Sequence, residues 1–126
     1  MSLQRLWWIL GFVFVGIVVV VCLLPGDKLP GTPLGDKLNH FVAHFLLAAW
    51  FAGLTQRRRW WAIFAGLLLL GVGIEIAQGL MHEGRDSDLR DVVANSVGAA
   101  AGLMASSLGL ARWPELAAWL LGRRTA

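Results

Sequence analysis

Four stretches of the chain are predominantly apolar, and shorter segments that carry most of the charges and prolines separate them. They cover residues 6–24, 38–54, 60–80 and 92–110 and contain no Lys or Arg. At 1.5 Å per residue, helices of these lengths span roughly 26–32 Å, which matches the hydrocarbon core of a bilayer. A lone segment in lipid satisfies its backbone polar groups only as a helix, so the pattern predicts four transmembrane helices.

A short additional helix is predicted near the end of the chain. Pro114 stands at a helix-start position, and Leu116, Trp119 and Leu120 then follow at i, i+3 and i+4 spacing. A stripe of this kind is typical of a helix that lies on a membrane surface, here over residues 114–121. The predicted fold is therefore all-α: a membrane-embedded four-helix bundle with a short C-terminal amphipathic helix, forming one domain over residues 1–126.

Composition supports lipid as the solvent of this chain. Apolar residues make up 57% of the 126 residues and charged residues 15%, against about 25% charged residues in a usual soluble domain. A chain this short has too little interior to bury so much apolar surface, which excludes a soluble globular enzyme and a disordered chain. The single cysteine, Cys22, excludes an internal disulfide and a cysteine-based metal cluster.

The distribution of basic residues predicts the orientation of the bundle. With a cytoplasmic N-terminus, seven of the 11 Lys and Arg residues lie on the cytoplasmic side, three of them consecutive at positions 57–59. Both termini are therefore expected in the cytoplasm. The isoelectric point of about 10.0 reflects arginines at a surface where anionic lipids attract them, so nucleic acid is not an expected partner.

Polar residues that are unusual in lipid occur near one end of three predicted helices. Each set lies on one helical face: Asp36, His40 and His44 in the second helix, Glu75, Gln78 and His82 in the third, and Asp88, Asp91 and Asn95 in the fourth. In an up-down bundle the start of the second helix, the end of the third and the start of the fourth lie on the same side. We therefore expect the three sets to converge, with Arg85 beside them.

Glu75 is the most informative of these residues, because it lies about 8 Å inside the predicted end of its helix. An ionised carboxylate at that depth is costly unless it is paired, and acids inside membranes are functional by default. The structural alternative is that Glu75 only ties helices together. The predicted pairs are Arg85 with Asp91 or Glu75, and His40 with Glu75 or Asp36.

Two other features have both a functional and a structural explanation. His40 and His44 have a metal-ligand spacing and, with Glu75, would supply two imidazoles and a carboxylate. No HExxH motif accompanies them, and buried histidines often only form hydrogen bonds, so neither a metal nor a cofactor is expected. Gly98 and Gly102 belong to a ladder of small residues that packs either within the bundle or in a homo-oligomer.

The ordered polar motifs resemble the signatures of the VanZ-like membrane proteins. They are Asp36–Lys37–x–x–His40–Phe41, then Glu75–x–x–Gln78, then Arg85 followed by Asp91–x–x–x–Asn95–x–x–Gly98. The resemblance implies a four-helix protein of the bacterial inner membrane, in a family named for a protein that lowers susceptibility to the glycopeptide teicoplanin. It marks as site residues Asp36, Lys37, His40, Glu75, Gln78, Arg85, Asp91 and Asn95. At position 44 the family pattern has an aromatic residue, and this chain has His44.

Three functions agree with this pattern, and the first is the one expected. In the first, Lys37 and Arg85 hold a phosphate or carboxylate, so the cluster binds or remodels a membrane lipid or a lipid-linked cell-envelope precursor at the outer leaflet. In the second, the protein is a small intramembrane hydrolase or transferase with His40 or Glu75 as general base. The sequence offers no nucleophile in an activating context for that reaction. In the third, the bundle is a structural partner in a membrane complex.

Overall fold

The computed structural model describes residues 1–25, 35–81 and 87–122, and their regular secondary structure is all helical. The helices are α1 (Leu3–Leu23), α2 (Gly35–Leu54), α3 (Trp60–Met81), α4 (Leu89–Ser107) and α5 (Trp113–Leu120). Short 3₁₀ turns at Arg57–Arg59 and Leu110–Arg112 lead into α3 and α5. The predicted all-α fold, with four long helices and a short C-terminal one, is confirmed.

The described helices differ in how well they suit a bilayer. By length and composition, α1 and the segment Arg57–Met81 are apolar enough to cross a membrane, with mean hydropathies of 2.8 and 1.9. The pair α4 and α5 qualifies as a third span only if it is counted as one span bent by 73°. Helix α2 does not qualify by itself, because charged residues and histidines occupy its first half.

Local capping explains why α4 begins earlier than the apolar pattern predicts. Asp88 occupies the N-cap position, and its Oδ1 accepts a hydrogen bond of 2.8 Å from the backbone N–H of Arg90. The helix therefore starts at Leu89 and includes Arg90 and Asp91, although both are charged. Gly109, with a φ of 129°, then turns the chain into the segment that leads to α5.

The outside of this bundle is more apolar than the surface of a water-soluble protein. Large apolar side chains cover the outside, with Leu69 72% exposed and Met104 65% exposed. The interior holds an apolar core together with polar side chains, including His44 and Asn95, which are among the most completely buried residues of the chain. Such an arrangement is stable where the surroundings are apolar, so the structure supports the prediction of a membrane protein.

Helix α2 lies at the centre of the bundle. It packs against α1, α3 and α4, and its interface with α4 is the most extensive helix pair. Leu47, Ala48 and Phe51 of α2 form an apolar core with Leu67 of α3 and Ala99 of α4. The extensive contact between the two helices places the start of α2 beside the start of α4.

The small-residue ladder of α4 faces α2 within the same chain. A Cβ atom added to Gly98 would collide with the backbone carbonyl oxygen of Phe41, and one added to Gly102 would collide with that of Phe45. These glycines let the two helix backbones approach closely. The ladder thus packs within the bundle, and α2 already covers the surface that a homo-oligomer through Gly98 and Gly102 would need.

Three tryptophans join the helix ends on the side opposite to the polar residues. The rings of Trp7, Trp50 and Trp113 have centroid separations of 4.6–6.0 Å. The indole N–H of Trp50 donates to the carbonyl oxygen of Trp7 at 3.1 Å, and that of Trp113 donates to the carbonyl oxygen of Trp50 at 3.3 Å. The start of α1, the end of α2 and α5 therefore lie at the same end of the bundle.

Helix α5 leaves its apolar stripe uncovered. Ala118 is buried, whereas Leu116, Trp119 and Leu120 are all exposed. This stripe is the one that predicts a membrane-surface helix, and the bundle does not use it for internal packing.

Candidate functional site

Polar side chains from three helices meet where α2 and α4 begin and α3 ends. We call the following residues the polar cluster: Asp36, Lys37 and His40 of α2, Glu75 of α3, Asp88 at the N-cap of α4, and Asp91 and Asn95 of α4. Helical spacing places each set on one face, and the close contact of α2 with α4 brings two of the faces together.

His40 is the central residue of the polar cluster and is 2% exposed. Its Nδ1 lies 3.0 Å from Oδ1 of Asn95, so the ring donates the Nδ1–H to that amide oxygen. Its Nε2 lies 3.7 Å from Oδ2 of Asp36 and 3.7 Å from Oδ2 of Asp91. One ring nitrogen thus fixes the orientation of the imidazole, and the other faces two carboxylates.

A glycine on α3 makes room for the amide of Asn95. A Cβ atom added to Gly71 would lie 2.8 Å from Nδ2 of Asn95. Any larger residue at position 71 would therefore push against this amide. The Asn95–His40 hydrogen bond depends on a small residue of a third helix, a dependence that the sequence pattern does not reveal.

Lys37 connects α2 to the start of α4. Its Nζ donates to Oδ2 of Asp88 at 3.1 Å and lies 3.5 Å from Oδ1 of Asp91. Asp88 accepts from both the Arg90 backbone N–H and Lys37, and these hydrogen bonds hold the pKa of its carboxyl below the usual range. Asp88 therefore remains ionised and keeps Lys37 in place at the half-exposed rim of the cluster.

Glu75 is buried and bonds to backbone rather than to His40. Its Oε2 accepts a hydrogen bond of 2.9 Å from the backbone N–H of Asp88. Two partners are predicted for His40. Asp36 lies near its ring. Among the described residues, His40 has no hydrogen bond or ion pair with Glu75. Arg85 and His82 lie outside the described residues, so the predicted pairing of Arg85 with Asp91 or Glu75 stays a prediction.

Two further polar residues are directed away from the cluster. Gln78 donates from Nε2 to the carbonyl oxygen of Cys22 at 2.7 Å, which ties the end of α3 to the end of α1. His44 is completely buried, and its Nδ1–H donates to the carbonyl oxygen of His40, one turn earlier in α2. The spacing-based set of His40, His44 and Glu75 is therefore not assembled as a ligand set.

Asp88 is a cluster residue that the family motifs do not mark. It contacts Lys37, Glu75 and the first turn of α4. A signal for it exists in the sequence, because Asp88 and Asp91 have the spacing of a helix-capping pair just before an apolar run.

Fold and site together define a small helical membrane protein with a polar cluster enclosed by an apolar exterior. Residues 28–110 match the sequence profile of the VanZ/LLP1 family, which is more than half of the chain. The chain therefore belongs to the VanZ/LLP1 family, and the resemblance of its motifs is confirmed. No curated protein and no solved structure matches the chain.

Proposed function

We propose that the polar cluster binds the headgroup of a lipid or a lipid-linked cell-envelope component at the outer leaflet of the bacterial inner membrane. The observation that carries the proposal is the grading of exposure within the cluster. The side chains of Lys37, Asp36 and Asp88 are 52%, 47% and 38% exposed. His40, Glu75, Asp91 and Asn95 lie buried beneath them. A half-exposed polar surface of this kind at the end of an apolar bundle would be accessible to headgroups, while acyl chains would contact the helices around it.

The residues of the rim indicate the chemistry of the headgroup. The ammonium of Lys37 is a donor suited to phosphate oxygens, and Asp88 already orients it. The carboxylate of Asp36 is an acceptor, which suits hydroxyl, amide or ammonium donors. We therefore propose a headgroup that combines a phosphate with hydrogen-bond donors, as in an aminophospholipid or a polyisoprenyl diphosphate sugar. A role in glycopeptide susceptibility would follow from binding an envelope precursor of this kind.

Retention of defined lipids tests the proposal. Native mass spectrometry of the full chain in detergent would compare phosphatidylethanolamine, phosphatidylglycerol and a polyisoprenyl diphosphate sugar. Lys37→Gln should weaken binding of the preferred lipid about tenfold, because a hydrogen bond to a charged group contributes about 1.5–3 kcal/mol. Arg58→Gln makes the same change of charge at the opposite end and should have no effect.

The outcome of that comparison also separates the alternatives. Equal binding of all three lipids, or equal loss in Lys37→Gln and Arg58→Gln, would contradict the headgroup proposal. Cleavage of the diphosphate sugar by the purified chain would favour the intramembrane hydrolase or transferase. If Lys37→Gln lowered the amount of folded protein but the folded fraction kept its lipid, the result would favour a structural partner.

The proposed orientation places both termini and the Arg57–Arg59 turn in the cytoplasm. The three-tryptophan contact supports a shared side for these elements, since it brings the N-terminus, the end of α2 and α5 to the same end. The choice of the cytoplasm as that side depends on the basic residues. In a chain with Cys22→Ala, Arg58→Cys should react with a membrane-impermeant thiol reagent only after the membrane is opened. Leu89→Cys, on an exposed residue at the other end, should react in intact cells. Labelling of Arg58→Cys in intact cells would reverse the orientation.

A further inference from the structure

We propose that Asp36, His40 and Asp91 form a binding site for a divalent transition-metal ion. One carboxylate oxygen from each aspartate and Nε2 of His40 lie within 4.8 Å of one another. Both carboxylate oxygens lie 3.7 Å from Nε2. Ligands about 2.1 Å from a tetrahedral zinc ion are roughly 3.4 Å apart, so the ion would fit with small side-chain shifts.

The bonding of His40 provides the independent support for this site. Its Nδ1 lies against Oδ1 of Asn95, so in the neutral ring the lone pair is on Nε2. Histidine ligands of metals usually donate their other ring N–H to an oxygen in this way. Nε2 forms no hydrogen bond in the described part of the chain, although His40 is 2% exposed. At 3.7 Å the two carboxylates are also beyond the usual range of a hydrogen bond.

In the neutral ring this lone pair faces two carboxylates without a hydrogen bond to either, and a cation between them would stabilise all three groups. Lys37 does not fill this position, because its Nζ lies at the other oxygen of Asp91, Oδ1, at 3.5 Å. Among the described residues, Lys37 and, at Asp88, Arg90 are the cations near four carboxylates, those of Asp36, Glu75, Asp88 and Asp91. A divalent ion would balance much of this negative charge.

The donor set selects the class of metal. One imidazole nitrogen and two carboxylate oxygens suit Zn²⁺ or Mn²⁺, whereas Ca²⁺ and Mg²⁺ are usually held by oxygen ligands alone. The side chain of Asp36 is 47% exposed, so an ion can enter from the rim of the cluster. Three protein ligands leave a coordination position open, which is the arrangement of catalytic rather than structural zinc sites.

Metal binding to the full chain tests this inference without any lipid headgroup. The chain, purified in detergent and stripped with EDTA, would be titrated with Zn²⁺ or Mn²⁺ and assayed for bound metal and thermal unfolding. The expected result is about one ion per chain and a rise in the melting temperature with metal concentration. Because no lipid is added beyond the detergent, a failure to bind metal would leave the headgroup proposal untouched. A failure to retain lipid would likewise leave the metal proposal untouched.

Matched variants identify the ligands. His40→Gln and Asp91→Asn should weaken metal binding at least about tenfold. Asp36→Asn, at the rim, should do the same and is the variant least able to disturb folding. His44→Gln changes a neighbouring, equally buried histidine of α2 and should keep the affinity of the unchanged chain. Absence of metal binding by the folded wild type, or affinity unchanged by Asp36→Asn and Asp91→Asn, would overturn the proposal, as would an equal loss in His44→Gln.

Discussion

Gly98→Ala is expected to lower the free energy of unfolding of the bundle by about 2–3 kcal/mol. A Cβ atom at this position would lie 3.0 Å from Cα of Phe41 and closer still to the carbonyl carbon and oxygen of that residue. These are backbone atoms of a helix, so no side-chain rotation can relieve the collision. Helices α2 and α4 would have to separate along their most extensive contact.

Gly73→Ala is the matched control for this experiment. Gly73 is also helical, but a Cβ atom added there meets no heavy atom within 4 Å. Alanine should therefore leave the bundle as stable as before or more stable by up to about 1 kcal/mol. Both variants would be unfolded with SDS in mixed micelles and followed by tryptophan fluorescence. If Gly98→Ala were as stable as Gly73→Ala, the close approach of α2 and α4 would be wrong.

Loss of the hydrogen bond between His40 and Asn95 is expected to have the second large effect on the free energy of unfolding. We expect His40→Leu and Asn95→Leu each to cost about 1–3 kcal/mol, because each change leaves the other polar group buried and unpaired. The double variant should then lose less than the sum, by about 1 kcal/mol or more. The cycle would be measured in EDTA so that a bound metal does not contribute.

A second cycle, on His40 and Glu75, provides the comparison. The described structure pairs Glu75 with the backbone N–H of Asp88 instead of with His40. Glu75→Gln combined with His40→Leu should therefore be closer to additive than the His40–Asn95 pair. Strict additivity for His40 and Asn95, or a larger coupling for His40 and Glu75, would contradict the observed contacts.

The helices are predictable from sequence because hydropathy and length are properties of single segments. The ends of the helices are less predictable. In α4 the apolar run begins at residue 92, whereas the cap at Asp88 starts the helix at Leu89. The convergence of Asp36, His40, Asp91 and Asn95 follows from helical spacing and an up-down order. Each of these features depends on residues that are close in sequence or on the simplest arrangement of helices.

The partners of individual polar side chains could not be predicted from the sequence, because they depend on how one helix is rotated and shifted against another. Gln78 shares a face with Glu75, yet it bonds to the carbonyl oxygen of Cys22, because α1 lies against that side of α3. Metal-ligand spacing pairs His40 with His44, but His44 donates to its own helix. The second carboxylate near His40 comes instead from Asp91 of α4, and neither helix sequence encodes that register.

The central position of α2 has a consequence for biogenesis. By length and composition this helix is not among the candidate membrane spans of the described chain, yet α1, α3 and α4 pack against it. Released alone, it would present His40 and His44 to hydrocarbon, at a cost of a few kcal/mol for such groups. The short turn at Arg57–Arg59 joins it directly to α3, which is apolar enough to span. With the proposed topology, α2 would enter the membrane together with α3 as a helical hairpin, in which α3 supplies the apolar surface that α2 lacks.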